Sequence, residues 1–77
     1  MSERKVTLDL SPDEAIVLFE WLHRFNEAEN NEFVDQAEQR VLWNIEAMLE
    51  SALTEPLHPN YVELIAAARA RVRDREV

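Results

Sequence analysis

The sequence predicts a mainly α domain, with one β-strand over residues 4–10 followed by three helices over residues 12–27, 32–53 and 60–75. Three observations carry this expectation. Apolar residues recur every second position up to Leu10. They recur at helical spacing from Ala15 onward. Between Thr54 and Pro59 two prolines interrupt the helical pattern.

In the first segment Val6, Leu8 and Leu10 share one side while Lys5, Thr7 and Asp9 share the other, the period of a half-buried strand. Ser11-Pro12-Asp13-Glu14 then forms a helix start. The Ser11 hydroxyl is placed to accept from the amide three residues on, Glu14 to reach back, and Pro12 to occupy a first-turn position where no amide is needed. Along helix one, Ala15, Leu18, Phe19, Leu22 and Phe25 form the core stripe at about 100° per residue, with Val17 and Trp21 on its shoulder. That arc is wide enough for two contact surfaces. Glu20, Arg24 and Glu27 are expected on the solvated side.

Asn26 to Asn31 holds no large apolar residue, and Asn30 or Asn31 is the expected cap of helix two. On that helix Val34, Ala37, Val41, Leu42, Ile45, Met48, Leu49 and Ala52 fall on one face, while Gln36, Arg40, Trp43 and Ala47 form a stripe nearly opposite. Pro56 and Pro59 predict an extended connector over 54–59, because each restricts its own φ and disfavours helix in the residue before it. Helix three is expected to be capped by Asn60, with Tyr61, Leu64, Ile65, Ala68 and Val72 inward.

Composition limits what this domain can do. The chain has 77 residues, read as the single domain 1–77, with no cysteine and no glycine. Disulfides and thiolate metal sites are therefore absent, and so are the glycine-rich loops that cradle phosphates. The net charge is −8, distributed unevenly. Between Val6 and Ala68 two arginines face thirteen acids, a local −11, whereas Arg69, Arg71, Arg73 and Arg75 give the end a basic character. Nucleic acid should be repelled by the body. No apolar stretch approaches the roughly 20 residues of a membrane span, so a cytoplasmic location without membrane contact is expected.

Catalytic chemistry finds little support. Glu20 and His23 have the Glu-x-x-His spacing of carboxylate-bridged di-iron bundles, but the chain holds a single copy and one other histidine, His58, beside Pro59. No nucleophile is placed beside either histidine, so no catalytic residue, metal ligand or cofactor is assigned. The arginines of helix three suit the negative end of the helix dipole and can pair with acids of the other helices. Trp43 opposite the main stripe, and Trp21 on the shoulder of helix one, are the side chains that most call for cover. Trp21, Gln36, Arg40, Trp43 and Ala47 are accordingly the candidate interaction residues.

The alternating segment Lys5 to Leu10 with Ser-Pro-Asp-Glu and two helices resembles the ribbon-helix-helix family of repressors and antitoxins. The resemblance implies a dimer whose outward strand residues, here Lys5, Thr7 and Asp9, enter the major groove. Asp9 would bring a negative charge to that position. The string Ala37-Glu38-Gln39-Arg40-Val41-Leu42-Trp43-Asn44, with Glu55-Pro56-Leu57 and Pro59-Asn60-Tyr61, also looks like a group of short, uncharacterised bacterial helical proteins. That likeness implies a cytoplasmic helical protein and transfers no activity.

These observations favour a small acidic, non-enzymatic protein-interaction module over a DNA-binding repressor or antitoxin. A homodimer is expected, because the core is small, no disulfide is available and a lone strand needs partners for its backbone groups. A further protein partner is expected but not identified.

Overall fold

The computed structural model describes residues 4–28 and 32–74. Among them the chain forms α1 (Pro12–Glu27), α2 (Gln36–Ala52), a single 3-10 turn (Glu55–Leu57) and α3 (Tyr61–Arg73), and no strand.

The start of α1 follows its local chemistry closely. Ser11 Oγ accepts from the Glu14 amide at 3.1 Å, and Glu14 Oε1 accepts from the Ser11 amide at 2.9 Å, closing a capping box with Pro12 in the first turn. The two contact surfaces expected of this helix are both used, because α1 packs on α2 and on α3, and α2 and α3 share no comparable contact. The molecule is thus an open layer with α1 in the middle. Its radius of gyration, 14.4 Å, exceeds the roughly 11–12 Å expected of a compact chain this long.

Among the described residues every buried side chain lies on α1 or α3: Ile16, Phe19 and Leu22 on the first, Ile65 and Ala68 on the second. Ile16, Ile65 and Ala68 form the centre, flanked by Val17, Tyr61 and Leu53 from the end of α2. The α1 stripe is therefore rotated toward α3 relative to the sequence expectation. Ile16 belongs to it, while Ala15, Leu18 and Phe25 are only half-buried. Glu20, expected to be solvated, is largely covered because it faces α3 and accepts from the Tyr61 hydroxyl at 3.0 Å.

Four further expectations need correction. Residues 4–10 carry no regular structure and are exposed throughout, since alternation supplies a strand's pattern but no hydrogen-bonding partner. Helix two begins at Gln36 instead of Glu32, because Asp35 caps it: Asp35 Oδ1 accepts from the Ala37 amide at 2.7 Å, and Glu38 Oε1 accepts from the Val34 amide at 2.9 Å. Asn30 and Asn31 lie outside the described residues. The connector is not wholly extended, because the fixed φ of Pro56 also suits a 3-10 turn, closed by the Leu57 amide donating to the Thr54 carbonyl at 3.0 Å. Asn60 does precede α3, but its carbonyl, not its side chain, takes the first amides, those of Glu63 and Leu64. The end of that helix is Arg73, and Arg75 lies outside the described residues.

A candidate interaction surface

Helix two buries no residue completely. Only part of its expected face turns inward: Leu42, Ile45 and Leu49 are half-buried, whereas Val34, Ala37, Val41, Met48 and Ala52 stay exposed, Val34 at 95%. The apolar arc of α2 is wider than the surface α1 offers it. One edge packs and the other faces solvent.

That outer edge borders an apolar groove of about 530 Å³, lined by Phe25, Phe33, Ala37, Val41 and Leu42, with Glu32 and Glu38 at its margin. Aromatic stacking builds the wall on the α1 side. Trp21 lies on Phe25 one helical turn on, with ring centres 4.9 Å apart, and Phe25 meets the edge of Phe33 at 5.9 Å and 84°. The Asp35 cap holds Phe33 in place from the α2 side, since it fixes the direction from which the chain enters the helix. Phe33 is the residue that sequence reading missed. Its signal was Asp35 with Glu38 three positions later, a helix start that sets the preceding aromatic outside the helix.

A polar junction holds α1 to α2. Glu46 receives two α1 side chains: His23 Nδ1 lies 3.1 Å from Oε2, and Asn26 Nδ2 donates to Oε1 at 2.6 Å. The other His23 nitrogen lies 3.4 Å from Glu27. The hydrogen bond to Glu46 raises the imidazole pKa above its ordinary value, burial opposes the rise, and the charges of Glu27, Glu46 and Glu20 add to it. The Asn26 Oδ1 atom is buried without a donor among the described residues.

The Glu-x-x-His pair is divided between two helices. Glu20 turns to Tyr61 on α3, where burial and this hydrogen bond push the phenol up to about 12, while His23 turns to α2. No group of three potential ligands that could hold a metal occurs among the described residues. His58 is exposed and its backbone, not its ring, makes the recorded bonds. Arg71 grips Asp13 through Nε at 2.8 Å and Nη2 at 2.9 Å, and Arg73 pairs with Asp74, so two of the basic residues of α3 are engaged by acids.

Of the five sequence candidates, Gln36, Arg40, Trp43 and Ala47 do share one exposed strip of α2, with Trp43 48% exposed. Leu57 of the connector also points largely to solvent. Trp21 is not part of that strip. It stacks on Phe25 of α1, which lines the groove, and Trp43 lies about 200° around the helix from the groove residue Val41. The two indoles thus mark different surfaces. Among the described residues no helix is long and apolar enough to cross a membrane. Comparison with protein-family models, curated proteins and solved structures gives no match.

Proposed function

We propose that the chain is a small acidic protein-interaction module that carries no catalysis of its own and works as a homodimer. The observation behind this is the apolar groove between the end of α1 and the start of α2, lined in part by exposed Val41, with exposed Val34 next in the chain to the lining residue Phe33. Contiguous apolar surface of this kind on a small domain is a cost in water unless something covers it. The open arrangement of the three helices supports the same reading, because among the described residues α2 packs mainly on α1 and has no comparable contact with α3. The titratable side chains support it as well: Glu20, His23, Asp13 and Arg71 are engaged in ties between helices.

Sedimentation equilibrium at micromolar concentration tests the proposal. A mass near twice 9.0 kDa is expected. A monomer throughout the concentration range would overturn it.

A further inference from the structure

Given the proposed homodimer, on which this inference rests, we infer that the groove of each copy receives the N-terminal arm, residues 4–10, of the other. The arm offers what the groove lacks. Val6 and Leu8 are 79% and 76% exposed, Leu10 also faces solvent, and their alternation places all three on one side of an extended segment. The groove is apolar along its length, with Phe33, Ala37 and Val41 on the α2 side.

Charge selects the same segment. Glu32 and Glu38 stand at the margin of the groove, and a chain with only Arg24 and Arg40 between Val6 and Ala68 has few cations to set against them. Arg71 is paired to Asp13 of α1 and Arg73 to Asp74, and Arg69 stands on α3, which shares no comparable contact with α2. Arg4 and Lys5 directly precede the unburied apolar residues, so the arm combines basic and apolar character in one short stretch.

Reach then decides between a copy's own arm and its partner's. From Ser11 to Phe25 the helix rises roughly 21 Å, and the seven residues of the arm span at most about 25 Å when fully extended. A copy's own arm would bring only Arg4 or Lys5 to its groove, leaving Val6, Leu8 and Leu10 along α1. An arm from a second copy approaches from outside and can lay all three side chains in. Reciprocal exchange closes a two-fold dimer with no arm left over.

The absence of cysteine makes a clean test available, because a nitroxide attached through Thr7→Cys is the sole label in the chain. Labelled chain is mixed with unlabelled chain enriched in 15N, and sedimentation is run on the same mixture. Line broadening at the Phe33, Ala37 and Val41 amides of the unlabelled copy, with a dimer mass, is the expected result. Broadening confined to residues 4–10 of the unlabelled copy, or absent from it, with a dimer mass would overturn the arm exchange and leave self-association standing. A monomer mass would overturn both. Leu8→Asp adds a second readout on a residue that packs on nothing in the single copy. It is expected to weaken association by roughly tenfold to a hundredfold with an unchanged helical spectrum, and unchanged association would defeat the inference.

Discussion

The side chains of α1 divide into those that hold the core and those that hold α2 by polar contact, and the two kinds should answer differently to substitution. Leu22 is 1% exposed, so Leu22→Ala should cost about 3–5 kcal/mol, enough to unfold much of the population of a domain this small. The half-covered indole of Trp43 should cost less, about 1–2 kcal/mol for Trp43→Ala, as only part of the burial range applies. Urea titrations of the two variants beside the parent check the order, and a larger loss for Trp43 would mean that it packs more fully in solution. His23 supplies a pH dependence. Its folded pKa is raised, so the stabilisation is fully present below the unfolded value and is lost as pH rises through the folded one. The thermal midpoint should therefore fall as pH rises above the ordinary histidine value of about 6.5, and His23→Gln should flatten that slope. An equal slope in the variant would assign the effect to another group.

Among the three α-helices, α2 is the least well buried. It contributes no fully buried residue, and its start depends on the Asp35 cap. Asp35→Ala is expected to cost about 1 kcal/mol and to lower amide protection over the first turns of α2 while leaving α1 unchanged. Hydrogen exchange resolved by residue reads this directly. Uniform loss of protection across all three helices would show that α2 is not a separate unit. The contrast between α1 and α2 also explains what was legible in the sequence. Ser11-Pro12-Asp13-Glu14 is a complete local instruction, and α1 begins and ends where its residues say. On α2 the asparagines 30 and 31 drew attention from Asp35, and eight apolar positions on one arc could not say which half would pack. Ile16 escapes for a related reason: helical spacing centres the stripe on Ala15, Leu18, Phe19, Leu22 and Phe25, whereas α3 draws the core toward Ile16. The candidate surface is half legible in the sequence. The Gln36–Ala47 strip follows from helical spacing alone, but the groove depends on Phe33 meeting Phe25 across a loop. Residues 4–10 show the opposite limit, where a correct period yields no strand because pairing is not a property of one segment.

For the whole molecule, charge is the dominant feature after the open layer. With thirteen acids against two arginines from Val6 to Ala68, and Arg71 and Arg73 engaged by acids, the protein should show no sequence-specific affinity for duplex DNA at physiological salt. Electrophoretic mobility shifts with random and palindromic duplexes are the check. Tight, salt-sensitive binding lost on changing Lys5 and Thr7 to Ala would instead favour a ribbon-helix-helix mode of action. The tie between Asp13 and Arg71 has a different consequence, which concerns when the protein can fold. It joins positions 58 residues apart, and the central contacts of Ile16 with Ile65 and Ala68 span almost as much chain. Closing so long a loop must precede any reward from the core. A nascent chain that has emerged only as far as Thr54 contains α1 and α2 but lacks both α3 contributors to the core, so Ile16 stays uncovered on that side until α3 has emerged. Closure of the core thereby waits on the helix made last of the three, and any factor that shields the chain before then would have to act on the α3-facing side of α1.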